Sequence, residues 1–348
     1  MFDRFFSKFG KHIGIDLGTS STLIYVKDHG IVISEPSVVA VNLRTEQILA
    51  VGKEAKMMMG KTPPYISVTR PLVHGVISDF EVTEKMLKYF IEKVHQDSFS
   101  LATRPRIIIG VPQDITEVER KAVEDAAISA GARKVHLVEE PMAAAIGARL
   151  PIEEAIASMI VDIGGGTADI AVISLSGAVT WKSIRVAGDE MNKNIVQYAK
   201  DHFNLLIGER YAEELKIKIG SAVPMAEPME CTLRGRDLMT GLPREIVIND
   251  EQVRSALSRS VRSMIDSIKS VLEITPPELV ADIHERGIVL SGGGSLLAGL
   301  DRAIAEAVEI PVRIADDPLT CVVRGTGILL ERPDLLEIVG LPSPGSLR

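Results

Sequence analysis

The chain has 348 residues, too many for one ordinary core, so two or more domains are expected. Hydrophobic residues make up 46% and charged residues 25%, a composition that excludes extensive disorder. A net charge of -8, with no basic stripe interleaved with aromatics, gives nucleic acid no electrostatic support. Two cysteines without CxxC spacing, Cys231 and Cys321, and seven scattered histidines without HExxH indicate neither a disulfide framework nor a zinc site. No apolar run reaches the ~18 residues of a membrane span, and no secretory signal is visible, so a reducing cytoplasm fits.

Phe2, Phe5, Phe6 and Phe9 open the chain at i, i+3, i+4, i+7 spacing, which puts them on one face of a helix. Half of the eight phenylalanines thus fall in the first nine residues, beside Arg4, Lys8 and Lys11. This pattern reads as a short interfacial anchor. An arm packed on the chain's own core, or an unstructured start, would tolerate the same spacing. Short apolar runs at Ile13–Ile15 and Leu23–Val26 then read as buried strands around an acidic glycine turn. Ala55–Thr62 mimics a loosened P-loop, but its first part is helix-like and Pro63-Pro64 follows, so Gly60 reads as a helix C-cap.

Val82–Val94 has apolar residues at helical period. A strand is expected at Arg106–Val111, and a helix over Thr116–Ala130 behind a capping box of Thr116 and Glu119. Strands at Met159–Ile163 and Ile170–Ile173 flank a second acidic glycine turn. Ala222–Leu242, with Pro224, Pro228 and several glycines, reads as a surface hairpin region of an inserted subdomain. Val253–Leu272 is a long amphipathic helix. Gly287–Leu290 is a strand that meets Leu290-Ser-Gly-Gly-Gly-Ser295 and then an apolar helix at Leu296. Strands alternating with helices indicate an α/β fold with central sheets.

The two acidic turns carry the chemistry. Asp16 ends an apolar strand, where an ionised carboxylate is costly unless paired or bound to a cation. Gly18 allows backbone N–H groups to approach a ligand, and Thr19, Ser20 and Ser21 add hydroxyls. Asp162, Gly164, Gly165, Gly166 and Thr167 repeat the pattern. Two such turns on related halves can hold a polyphosphate between them, and two carboxylates can hold Mg²⁺ through its retained waters. Ordinary hairpins with Asp-Gly turns are the alternative. The glycines of Leu290–Ser295 would let a base and ribose lie against the backbone, or would simply join a strand to a helix.

In order, Asp16–Ser21, Glu139-Glu140-Pro141-Met-Ala-Ala-Ala, Asp162–Thr167 and Leu290–Ser295 resemble the actin, heat-shock-chaperone and sugar-kinase ATPase superfamily. More narrowly, the chain resembles the MreB family of bacterial actins, from about His12 to Leu330. Stretches that carry this are Glu35-Pro-Ser-Val-Val-Ala, Gly75-Val-Ile-Ser-Asp-Phe, Leu206-Ile-Gly-Glu, Gly235-Arg-Asp-Leu-Met and Thr275-Pro-Pro-Glu-Leu. Ser20-Ser21 and Ala168-Asp169 depart from the family's usual residues.

The resemblance implies an actin-like ATPase fold, two related α/β domains each with a smaller inserted subdomain around a nucleotide cleft. It implies residues 1–11 as a membrane-binding arm, and 12–35, 75–152 and 323–348 as subdomain IA. Subdomain IB would be 36–74, IIA would be 153–190 with 252–322, and IIB would be 191–251. It implies ATP and Mg²⁺ as cofactors. Asp16 and Asp162 would be the metal-side residues. Glu140 and Thr167 would position the attacking water. Thr19, Ser20, Ser21, Gly164, Gly165 and Gly166 would face phosphate. Glu213, Glu214 and Lys216, on a helix beginning near Tyr211, would flank the adenosine, with Gly292, Gly293, Gly294 and Ser295 on its other side. Phe99 and Leu101 would insert into lipid beside the N-terminal arm.

The function implied is a slow ATPase that polymerises into membrane-associated filaments, in the cytoplasm at the inner face of the membrane. Such filaments help set rod cell shape by organising cell-wall synthesis. Partners would be further copies of the chain, a RodZ-type adaptor and elongation proteins. A chaperone ATPase would need a peptide-binding domain, and only a short tail follows Leu330. A sugar kinase would need a catalytic Asp facing a sugar pocket, and the sequence offers no clear candidate.

Overall fold

The computed structural model describes residues 12–95 and 104–342. Phe2, Phe5, Phe6, Phe9, Phe99 and Leu101 lie outside the described residues. The chain divides into two compact units. Unit 1 comprises Met1–Ile156, Ile173–Ala178 and Leu319–Arg348, and unit 2 comprises Ala157–Val172 and Val179–Pro318.

Unit 1 is built on β1 (Ile13–Leu17), β2 (Ser21–Val26), β3 (Gly30–Pro36), β9 (Arg106–Val111) and β10 (Lys134–Glu139), in the order β10-β9-β1-β2-β3. β1 runs parallel to β9 and antiparallel to β2. Alternation along β1 assigns its faces. Ile13, Ile15 and Leu17 join a core with Met86, Leu87 and Phe90 of helix Phe80–His95 and Val123 of helix Glu117–Ser129. Gly14 points the other way, where a Cβ would collide with Thr326 of helix Cys321–Glu331. That helix crosses helix Glu140–Gly147 so closely that a side chain on Gly147 or Gly325 would strike the opposite backbone. Helix Glu117–Ser129 starts at the expected capping box, with Thr116 Oγ1 accepting from the Glu119 amide at 3.2 Å.

Between β3 and β9 the chain makes a small sheet of β4 (Val39–Asn42), β5 (Ile48–Val51) and β6 (Ile66–Thr69), in the order β5-β4-β6, with helix Lys53–Met58 against it. A short pair, β7 (Leu72–Val73) and β8 (Val76–Ile77), returns it to the main body of unit 1. Gly60 has φ 72° just past the end of helix Lys53–Met58, as the C-cap reading expects. A true P-loop would open a helix there.

Unit 2 repeats the scheme strand for strand. Its sheet is β11 (Ser158–Ile163), β12 (Ala168–Ser174), β13 (Gly177–Ile184), β17 (Ile288–Ser291) and β18 (Val312–Ile314), in the order β13-β12-β11-β17-β18. β17 runs parallel to β11 and to β18, as β9 does to β1 and β10. Met159, Val161 and Ile163 share a core with Met191 and Ile195 of helix Gly188–Phe203 and with Leu257 and Met264 of helix Asp250–Ile274. The hairpin expected near Ala222–Leu242 is β15 (Glu230–Asp237) and β16 (Pro243–Asn249), joined by β14 (Leu205–Leu206) into a second small sheet. Two boundaries move. Helix Glu209–Ile219 begins two residues before Tyr211. After Gly292 the chain makes one 3₁₀ turn, Gly293–Leu296, and the apolar helix begins at Leu300, not Leu296.

Among the described residues, no helix is long and apolar enough to cross a membrane.

Candidate functional site

In unit 1 the turn after β1 closes by a hydrogen bond from the Gly18 amide to the Ser21 carbonyl, 3.1 Å. A Cβ at Gly18 would stand 2.9 Å from that carbonyl oxygen, so the turn requires glycine. Both ends of the small-sheet insertion are tied to this turn. At its start, Ser37 donates its hydroxyl to the Gly18 carbonyl at 2.6 Å and its amide to the Ser20 carbonyl at 3.1 Å. At its end, the Gly75 amide donates to Thr19 Oγ1 at 2.7 Å. Thr19 therefore acts first as an internal acceptor, while Ser20 and Ser21 are half-buried.

Asp16 is the penultimate residue of β1, on the face shared with Gly14 and in register with Gly110 on β9. A Cβ on Gly110 would collide with Val322 Cγ1 at 2.8 Å and would touch Cγ of Glu140 at 3.5 Å, so Glu140 packs beside this position. Glu140 is buried at the start of its helix, directly after Glu139 ends β10. Glu139 accepts from Gln113 Nε2 at 3.1 Å, and burial raises its carboxyl above the usual range. Unit 1 thus places Asp16 on β1 and Glu140 just past β10 on either side of Gly110 of the intervening strand β9.

Unit 2 repeats the turn. The Gly164 amide donates to the Thr167 carbonyl at 2.9 Å, the counterpart of Gly18 and Ser21. Gly164 and Gly165 carry the start of helix Gly188–Phe203: the Gly188 amide reaches the Gly164 carbonyl at 3.2 Å and the Asp189 amide reaches the Gly165 carbonyl at 2.8 Å. Lys216 donates to the Gly188 carbonyl at 2.9 Å, which brings an ammonium beside this turn. A positive side chain beside a glycine turn is a setting that can receive phosphate oxygens.

Asp162 is 5% exposed on β11, in register with Ser291 on β17. Ser291 donates its hydroxyl to Asp162 Oδ1 at 2.7 Å. Burial pushes the Asp162 carboxyl up to about 6 from 3.8, and the Ser291 bond opposes this only in part. A buried carboxylate held up in this way is a site where a cation is favoured. The third glycine turn packs on the same segment, since side chains on Gly292 or Gly294 would run into Ile163. The Ser295 hydroxyl closes this turn on itself, donating to the Gly292 carbonyl at 2.6 Å. Thr167 is buried, and Glu213 half-buried. Glu214 stands apart from the turns, exposed and paired with Arg210 at 3.1 Å.

Several residues of the described structure are given no site role by the sequence reading. Ser37 and Gly75 hold turn one, and Ser291 and Gly188 hold turn two. Asn192 is 3% exposed, one turn into helix Gly188–Phe203, with an Oδ1 that has no hydrogen-bond partner among the described residues. A signal existed for Asn192: it shares the buried face of Ile195 and Ala199, and a lone amide on an apolar face needs a reason. Ser37 and Ser291 are single serines after apolar or proline residues and carry no such signal.

Two units with the same strand order, each with a glycine turn behind an aspartate at the end of its first strand, define an actin-like fold. Solved structures agree. MreB5 of Spiroplasma citri bound to ADP matches with a TM-score of 0.89 at 37% identity, over 94% of this chain and 98% of that one. The MamK double helical filament matches with a TM-score of 0.78 at 25% identity, over 92% and 98%. The cell shape-determining protein Mbl of Bacillus cereus is 51% identical over 94% of this chain and 98% of its own. The cell shape-determining protein MreB of Escherichia coli K12 is 49% identical over 96% and 97%. The MreB/Mbl protein family matches residues 10–338, and the chain belongs to that family.

Proposed function

We propose that the chain is an ATP-binding, slowly ATP-hydrolysing cytoskeletal protein that polymerises into filaments. The observation that carries this reading is the repeated turn: Asp16 with Gly18–Ser21 and Asp162 with Gly164–Thr167 close through the same backbone hydrogen bond. The nucleotides bound to the Spiroplasma citri relative, ADP and AMPPNP, support an adenine nucleotide as ligand. The MamK filament and the cell shape-determining names of the relatives support a polymer that sets rod shape.

The donor set fits Mg²⁺. Asp162 and Asp16 are hard oxygen donors, and burial leaves the Asp162 charge in need of a cation. Among the described residues no group of three or more His, Cys, Asp or Glu gathers to hold a metal. By the resemblance, Asp16 and Asp162 are the proposed metal-side residues, with phosphate oxygens and water as the remaining ligands, the usual arrangement for Mg²⁺. The ion, when bound, would neutralise charge on the phosphates. The amides of both glycine turns and Lys216 would hold phosphate oxygens. Glu140 and Thr167 would orient the attacking water, with Glu140 taking its proton. Glu213 and Gly292–Ser295 would contact the adenosine.

In this reading the four subdomains implied by the resemblance, IA, IB, IIA and IIB, are the working parts, and the insertions 36–74 and 191–251 supply filament contacts. The phenylalanines of residues 1–11, with Phe99 and Leu101, attach the polymer to the inner face of the cytoplasmic membrane. One such arm binds weakly, and polymerisation multiplies it. A RodZ-type adaptor and the elongation machinery are the proposed partners.

Single-turnover hydrolysis by Glu140→Gln tests the assignment. The expected result is slowed hydrolysis by about 10²–10⁴-fold with nucleotide affinity kept. Unchanged hydrolysis would remove Glu140 from the mechanism. In parallel, a Phe-to-Ser series in the arm should abolish lipid co-sedimentation and leave polymerisation intact. Equal loss of both would sink the anchor assignment.

A further inference from the structure

Unit 2 has a pocket of about 390 Å³ that none of the phosphate turns lines. It lies along helix Asp250–Ile274 and is completed by the Ser221–Ala222 segment and Ala303. Its volume falls in the range of small-ligand sites. Its lining has an unusual charge balance for a chain of net charge -8: Arg254, Arg262 and Lys269 against the single acid Asp266.

Helical spacing explains the convergence. Residues 258, 262, 265, 266 and 269 follow i, i+3, i+4 steps and share one face. Arg254 is paired with Asp250 at 3.2 Å. Arg262 and Lys269 make no ion pair or hydrogen bond among the described residues, although Asp266 sits four residues after Arg262. A second polar group points to a ligand. Ser221 is 0% exposed at the base of the pocket and its Oγ has no hydrogen-bond partner among the described residues, so a ligand held by the exposed Arg262 and Lys269 reaches it only after a small shift of the side chains that cover it. A buried hydroxyl without a partner costs about 1–3 kcal/mol, which a bound acceptor would recover. Val261 and Ala303 supply an apolar wall.

We propose that this pocket is a binding site for a small organic anion, whose acidic oxygens meet Arg262, Lys269 and the Ser221 hydroxyl while a compact apolar body rests on Val261 and Ala303. Arginine and lysine recognise carboxylate and phosphate alike. The shared chemistry is therefore the acidic head group on an apolar body. This site is separate from the nucleotide turns and does not depend on their function.

The test is calorimetric titration of the full chain, saturated with Mg-ADP, with three probes: phthalate, phenyl phosphate and neutral benzamide. Binding of one or both anions is expected, with no binding of benzamide. The stronger anion identifies the head group as carboxylate or phosphate. Arg262→Gln with Lys269→Gln should weaken the anion by about tenfold or more. Asp266→Asn should tighten it, because the only opposing charge in the pocket is gone. Ser221→Ala should weaken it more than it changes the melting temperature. The proposal is overturned if neither anion binds at millimolar concentration. It is equally overturned if benzamide binds as well as the anions, or if the double variant binds them unchanged. Displacement of the anion by excess ADP would make the pocket part of the nucleotide site, and would also overturn it.

Discussion

Asp162→Asn should relieve a stability cost that the site imposes on the protein without its ligands. The Asp162 carboxyl titrates at about 6 in the folded chain and at 3.8 when unperturbed, with burial as the main cause. Between those values the folded state binds more protons than the unfolded one. Stability therefore falls as pH rises through this window, and the cost is complete above about pH 6. The full gap corresponds to about 3 kcal/mol, of which roughly half is expressed between about pH 5 and pH 7.5. Asparagine keeps the shape and the Ser291 hydroxyl bond but cannot ionise. Its amide adds a constant offset, so the informative quantity is the pH dependence of the difference. Urea unfolding of wild type and Asp162→Asn without nucleotide, at both ends of that range, measures it. Wild type should lose roughly 1–2 kcal/mol relative to the variant on going to the higher pH. With Mg-ADP present the difference should shrink, because the carboxylate then has its cation. A difference that is flat or rises with pH would refute the reasoning.

Four further outcomes follow from the same geometry. Gly18→Ala should impair nucleotide binding more than Gly164→Ala in equilibrium titrations, because the new methyl meets a carbonyl at 2.9 Å in the first turn and at 3.4 Å in the second. Thr19→Val leaves the buried Gly75 amide without its acceptor and should lower stability by about 1–3 kcal/mol, whereas Thr19→Ser should retain most of it; urea unfolding separates them. Lys216→Met removes the ammonium beside Gly188 and should weaken ADP by about tenfold or more, with unfolding midpoints little changed. His136 titrates at about 4, held down first by burial and then by Arg106 and Lys134. Its folded value lies below 6.5, so it destabilises the protein as pH falls from about 6.5 to 4, opposite in sign to Asp162. His136→Gln should flatten that acid limb in pH-dependent unfolding curves.

The sequence reading reached the architecture because both acidic turns sit between apolar strands in the same order. Ile13–Ile15 and Met159–Ile163 are buried on both faces, so they read as continuous apolar runs, and each strand carries aspartate as its penultimate residue. Thr116 with Glu119 announced a helix start through local hydrogen bonding alone. Contacts set by distant pairing were not legible. The Asp162–Ser291 bond joins residues 129 positions apart, and Thr19 meets Gly75 across 56. Nothing local marks which residue each of them pairs with. The helix expected at Leu296 failed for a local reason. The glycines that allow close approach to Ile163 also favour a single 3₁₀ turn, and Gly299 at φ 70° delays the helix to Leu300. Glu214 lies one residue from Glu213, which turns it by a quarter of the helix and into an exposed pair with Arg210.

Electron microscopy of the purified protein on lipid vesicles, with Mg-ATP and with Asp162→Asn as the control, tests the central claim most directly. Wild type is expected to form filaments on the membrane in Mg-ATP and to lose them when nucleotide is withheld. The variant is expected to form few or none. Wild-type protein that stays monomeric on and off lipid in Mg-ATP, or filaments that form equally without nucleotide and in Asp162→Asn, would contradict it.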